Sequence, residues 1–133
     1  MIDKPLTLFL AEDDPVDRTL FVDAVREIDA TIQCNTANDG EEAMDFLTDP
    51  GNPVPDFIFL DLSMPKISGE KCLVLIREDT RLKEVPVIIF TTAKDVAIAE
   101  NLKKLGASHF MSKPTNIDDV YFLISHVLND VWD

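Results

Sequence analysis

Four short apolar runs each end on polar residues able to do chemistry, and this pattern limits the possible folds more than any other feature. Residues 6–11 lead into Glu12 and Asp13, and 57–60 into Asp61. Residues 87–90 lead into Thr91, and 109–112 into Lys113, which Pro114 follows. Short runs of Phe, Ile, Leu and Val, bounded by turns, read as buried parallel strands. In an open sheet of this kind the ligand crevice lies beyond the carboxyl ends of the strands. The pattern thus gathers three carboxylates, a hydroxyl and an ammonium at one edge, a set suited to a divalent cation and a phosphoryl group.

Helical patterns fill the gaps between the runs. Asp14 caps a helix whose first position is Pro15 and which ends near Asp29. Residues 31–36 alternate Ile32, Cys34 and Thr36 with Thr31, Gln33 and Asn35, as a strand near a sheet edge does. Asn38 and Glu41 resemble a capping box opening a helix through Leu47. The breaker-rich stretch 49–55 is a loop, and Pro65 and Gly69 bracket another. Helices are expected over 70–78, over 95–105 with Gly106 just past its end, and over 116–131. The last carries Ile117, Val120, Tyr121, Ile124, Val127, Leu128 and Val131 on one stripe. Five β–α units with right-handed crossovers imply a doubly wound α/β sheet in the order 2-1-3-4-5, as one domain over residues 1–133.

Charge narrows the partners. Twenty-five acids against 12 bases leave a net charge of −13, which repels nucleic-acid phosphates. No apolar run approaches the ~18 residues of a membrane span, and residues 1–4 lead straight into the first strand, so a cytoplasmic location is expected. Cys34 and Cys72 form neither a zinc pattern nor a redox pair and read as ordinary thiols.

Glu12, Asp13 and Asp61 would crowd three like charges together, and hard oxygen donors suit Mg²⁺ or Mn²⁺. Taken alone, the acidic run is more often a solvated loop than a metal site. The remaining positions change that reading. Leu-Ala-Glu12-Asp13-Asp14-Pro, Leu-Asp61-Leu-Ser-Met-Pro65-Lys-Ile-Ser-Gly69, Phe-Thr91-Thr-Ala and Gly106-Ala-Ser-His-Phe110-Met-Ser-Lys113-Pro114 together resemble the receiver domain of two-component response regulators, from Leu6 to Val131.

The resemblance implies a flavodoxin-like (βα)5 sandwich and a signalling switch that catalyses only its own phosphorylation and dephosphorylation. It makes Asp61 the acceptor of a phosphoryl group from a partner phosphohistidine. Asp13 would bind the cation directly and Glu12 through water, with the Ser63 carbonyl a further ligand. Thr91 would bond a phosphoryl oxygen, Lys113 would pair with the carboxylate and then the phosphoryl group, and Phe110 would be the aromatic that swings as Thr91 moves. It also implies a cis Lys113–Pro114 peptide. A histidine kinase or histidine phosphotransfer protein would be the donor. The face of helix four, strand five and helix five would meet an output protein, or a second copy in a homodimer, and Trp132 is a candidate contact. His109 and His126 match no function and read as a strand residue and a helix-surface residue.

The long stretch 79–85 resembles single-domain regulators associated with phytochrome kinases. The departures are few: Thr92 is larger than usual, Ala93 offers no polar side chain, and Phe110 has no hydroxyl. Phosphatases of the haloacid dehalogenase type share an Asp, a Thr or Ser, a Lys and Mg²⁺. Their nucleophile follows the first strand, with an acid two residues on, whereas Asp61 follows the third and Ser63 holds that position. A flavin binder would need a Ser/Thr/Gly-rich loop where the acidic run stands. An inactive docking receiver would lack the Asp, Thr or Lys, and all three are present.

Overall fold

Strands and helices alternate along the chain as the apolar runs predict. They are β1 (Thr7–Ala11), α1 (Pro15–Ile28), β2 (Gln33–Ala37), α2 (Gly40–Thr48), β3 (Phe57–Leu60), α3 (Gly69–Glu78), β4 (Val87–Thr91), α4 (Val96–Lys104), β5 (His109–Ser112) and α5 (Ile117–Asn129). The computed structural model describes residues 5–92, 96–114 and 116–129. Asp95, Val131, Ala93 and Trp132, to which expectations were attached, lie outside them. The sheet is parallel with order β2-β1-β3-β4-β5. β1 and β3 are central, so Glu12 and Asp61 leave adjacent strands at the same edge.

Alternate strand residues feed two separate cores. Leu8, Leu10, Phe57, Phe59, Ile88 and Phe90 pack with Phe21 and Val25 of α1 and with Val120, Ile124 and Val127 of α5. Phe9, Ala11, Ile58, Leu60, Val87 and Ile89 face the other way, against Ala43, Met44 and Leu47 of α2, Leu73 and Ile76 of α3 and Leu102 of α4. Burying a Leu, Ile or Phe stabilises by roughly 1.5–3 kcal/mol. The runs in β1, β3 and β4 therefore occupy the central strands, while the alternating segment forms the β2 edge and residues 109–112 the β5 edge.

Side-chain caps fix the helix starts. Asp14 Oδ1 accepts from the N–H groups of Val16 and Asp17, and Pro15 follows it. α2 is capped by Asp39, whose Oδ1 accepts from Glu42 N–H at 2.8 Å. The expected box from Asn38 is thus shifted by one residue, because an aspartate in the next position bonds the helix more directly. Glu42 reaches back past the cap and accepts from Asn38 N–H at 3.3 Å, one residue before Asp39. Gly106, φ 109°, ends α4 as expected: its N–H bonds to Lys103 O and that of Ala107 to Leu102 O.

β2 begins at Gln33 rather than Thr31. Ile32 N–H is taken by Asp29 O, and Thr31 is held by the Asp29 carboxylate, so the ladder starts only beyond this turn. Arg81 ties loop 49–55 down by donating to Asp49 O and Asn52 O. Both cysteines are free, and burial pushes the thiol of Cys34 up to about 12 and that of Cys72 up to about 11, which keeps them unreactive at neutral pH.

Candidate functional site

The end of β1 carries Glu12, an ionisable residue that is fully buried. Its backbone N–H bonds to Ala37 O, and Arg18 donates to its carbonyl at 2.8 Å, so the main chain is clamped between β2 and α1. Asp14 N–H donates to Glu12 Oε2 at 3.1 Å. Asp61, at the end of β3, is 5% exposed, and its Oδ1 accepts from Ser63 N–H at 3.2 Å. Asp13 is exposed beside them. Carboxylate oxygens of Glu12, Asp13 and Asp61 all lie within 4.8 Å of one another.

A lysine ammonium enters this group. Lys113 follows β5, and its N–H bonds to Thr91 O at 2.8 Å, which anchors it to the end of β4. Its Nζ lies 2.5 Å from Glu12 Oε1, 3.1 Å from Asp61 Oδ2 and 3.1 Å from Asp17 Oδ2. The Glu12 contact is an ion pair without an aligned hydrogen bond. Lys113 achieves this with a trans peptide to Pro114, since no cis bond occurs among the described residues. The expected cis proline is therefore corrected. The trans form is the lower in energy by about 0.5–1 kcal/mol, and the lysine already reaches inward from it.

Thr91 is buried at the end of β4, on the sheet face of Val87 and Ile89. Phe110 sits opposite Ile89 on β5, half-buried against the same core. Thr91 and Phe110 therefore share a face. Thr92 is exposed. His109 is a half-buried strand residue and His126 an exposed one of α5, as expected. Asp17 is the participant the sequence did not disclose. An acid in a helix first turn ordinarily serves the helix dipole, and nothing local points it at a lysine 96 positions away.

Burial raises the Glu12 carboxyl from 4.5 to about 7, against the pull of Lys113 and of Asp14 N–H, with the charge of Asp61 adding to the rise. Burial disfavours the ammonium of Lys113, but its ion pair with Glu12 and the charge of Asp61 outweigh this and shift it upward. The signs differ in consequence. Glu12 favours folding in its protonated form, a contribution complete below about 4.5 and lost as pH rises through about 7. Lys113 favours folding in its charged form, a contribution that lasts to strongly alkaline pH. Three hard oxygen donors, one of them held partly protonated by burial, fit Mg²⁺ or Mn²⁺.

Cation affinity should therefore rise with pH and level off above about 7, where Glu12 has given up its proton. Glu12→Gln should flatten that rise. Mg²⁺ titrations at a series of pH values measure it, and a pH-independent affinity in the wild type would contradict the shift.

A groove of about 600 Å³ between α1 and α5, lined by Ala24, Glu27, Asp118, Tyr121 and Phe122, touches none of these groups. The chemistry sits at an open sheet edge, where a partner can present a phosphoryl group. A buried aspartate stands at the carboxyl edge of the sheet beside two further carboxylates and an ammonium, as a phosphoacceptor switch requires, and the chain belongs to the response regulator receiver domain family, whose model matches residues 8–125.

Response regulator Rcp1 of Synechocystis sp. is 29% identical over 129 residues, spanning 92% of this chain and 86% of the relative. Two-component response regulator ARR17 of Arabidopsis thaliana is 30% identical over 137 residues, 96% of this chain and 88% of its own. Among solved structures, the Mn(2+)-bound form of Rcp1 matches with a TM-score of 0.86 at 27% identity, covering 96% of this chain and 97% of that one. The phosphorylated cyanobacterial phytochrome response regulator RcpA matches with a TM-score of 0.86 at 26% identity, covering 93% and 91%. The likeness to phytochrome-associated regulators suggested by residues 79–85 is borne out. No described helix is long and apolar enough to cross a membrane.

Proposed function

We propose that Asp61 accepts a phosphoryl group from a phosphohistidine of a histidine kinase or histidine phosphotransfer protein. The observation that carries this reading is the buried Asp61 carboxylate, whose Oδ2 lies 3.1 Å from Lys113 Nζ beside Glu12 and Asp13. In the transfer an Asp61 oxygen attacks phosphorus, the phosphorus–nitrogen bond breaks, and its electron pair returns to the imidazole. Glu12, Asp13, Asp61 and the Ser63 carbonyl hold the cation, which when bound neutralises charge on the phosphoryl oxygens. Thr91 donates its hydroxyl to one of those oxygens, and Lys113 keeps its charge beside them.

Movement of Thr91 toward the phosphoryl group vacates space on the face it shares with Phe110, which turns inward. The surface of α4, β5 and α5 changes as a result and meets an output partner, a second copy or a relay protein. Residues 1–133 act as one receiver, with no substrate beyond its own aspartate. The test is transfer from acetyl phosphate or a phosphorylated kinase, with Mg²⁺ or with EDTA. One phosphate, formed only with Mg²⁺ and released by hydroxylamine as an acyl phosphate is, supports the reading. A histidine-borne or acid-stable phosphate refutes it.

The phosphorylated form should be long-lived. Thr92 adds exposed bulk beside the phosphoryl site, and Ala93, outside the described residues, has no group to orient water. Losing one positioned hydrogen bond slows a reaction by roughly tenfold or more. Thr92→Ala and Ala93→Glu should each shorten the half-life, followed as decay of the label with Mg²⁺ and no donor. Unchanged decay in both places the control elsewhere.

A further inference from the structure

We infer that Asp17 is a positioning residue that holds the Lys113 ammonium at the phosphoryl site when a cation is bound. The inference rests on Asp61 being the phosphoacceptor. Lys113 has three N–H donors and three carboxylates around it: Glu12, Asp61 and Asp17. The first two belong to the cluster with Asp13 that suits a divalent cation, and Asp17 does not. A cation there takes up the charge of Glu12 and Asp61 and repels the ammonium. Lysine is a strongly hydrated charge on a flexible stem, so without another partner it leaves for water.

Asp17 is the partner that a cation does not claim. It sits in the first turn of α1, one-third exposed, behind the Asp14 cap and Pro15, on backbone that the helix itself holds. The lysine is 8% exposed, so its stem is already packed in place. α1 thus holds the Lys113 ammonium through a carboxylate that lies outside the Glu12, Asp13 and Asp61 cluster.

A role through Lys113 differs from a role through charge alone. If Asp17 only offset the lysine's charge, its removal would leave a stronger cation and speed transfer. If it positions the lysine, its removal slows transfer, and only while Lys113 is present. The experiment is a double-mutant cycle with acetyl phosphate at saturating Mg²⁺, using Asp17→Ala, Asp17→Asn and Lys113→Ala. We expect the rate at saturating donor to fall about tenfold in Asp17→Ala and less in Asp17→Asn, which keeps an acceptor oxygen, with the half-saturating donor concentration unchanged. In the Lys113→Ala background Asp17→Ala should have no further effect. The Lys113 ammonium resonance, followed by NMR, should persist in wild type with and without Mg²⁺, and in Asp17→Ala should vanish on adding Mg²⁺.

A faster Asp17→Ala protein, additive effects in the cycle, or an ammonium signal that survives Mg²⁺ in Asp17→Ala would each overturn the inference. Wild type that takes no phosphate at Asp61 would instead overturn the phosphoacceptor reading. The ammonium signal needs no phosphoryl transfer and still reports on Asp17 in that event.

Discussion

Asp13→Ala should bind Mg²⁺ roughly a hundredfold more weakly and still fold. Asp13 is the exposed member of the acid cluster, while Glu12 is buried against Lys113 and Asp61 is nearly so. Lys113 already takes part of the charge of those two, which leaves Asp13 as the carboxylate most available to a cation. Its removal also relieves repulsion among three acids within 4.8 Å of one another. Metal-free Asp13→Ala should therefore be at least as stable as metal-free wild type. Calorimetric titration with Mg²⁺ and urea denaturation in EDTA read the two effects. Undiminished affinity would remove Asp13 from the site, and a marked loss of metal-free stability would show that it serves the fold instead.

Gly69→Ala should destabilise the protein by about 3 kcal/mol. A Cβ at Gly69 would lie 2.1 Å from the carbonyl oxygen of Asp61 and 2.9 Å from Leu62 Cα. Both are backbone atoms at the end of β3, and neither can yield as a flexible side chain would. The close approach exists because α3 starts directly against that strand end, with Gly69 N–H bonded to Leu62 O at 3.1 Å. Relief requires moving α3 or moving Asp61, so molecules that still fold should also accept phosphate more slowly. Gly51→Ala is the control, since its Cβ would meet only the Asp49 carboxylate, at 3.3 Å. Equal urea midpoints for the two variants would contradict the packing assigned to Gly69.

The strands and their order were legible because central parallel strands are buried on both faces and must be apolar without interruption. Phe57–Leu60 and His109–Ser112 have the expected bounds, and β4 runs one residue further, to include Thr91. Edges and caps were harder to read. The alternation of residues 31–36 does not show that the Asp29 turn consumes the first two positions, and two adjacent residues, Asn38 and Asp39, were both chemically able to cap α2. The acids, Thr91 and Lys113 were legible as strand-end residues, and the structure brings the carboxylates and the lysine together. Two features were not. The full burial of Glu12 depends on its clamp between Ala37 and Arg18, and the Asp17–Lys113 contact joins residues that only the fold makes neighbours.

The site as a whole stands or falls on which atom carries the phosphate. Wild type and Asp61→Asn should be incubated with acetyl phosphate and Mg²⁺, digested at neutral pH and analysed by mass spectrometry. The account predicts a single phosphate on the wild-type peptide that contains Asp61, and none anywhere in Asp61→Asn. Full labelling of Asp61→Asn, or a phosphate on a residue other than Asp61 in the wild type, would contradict it.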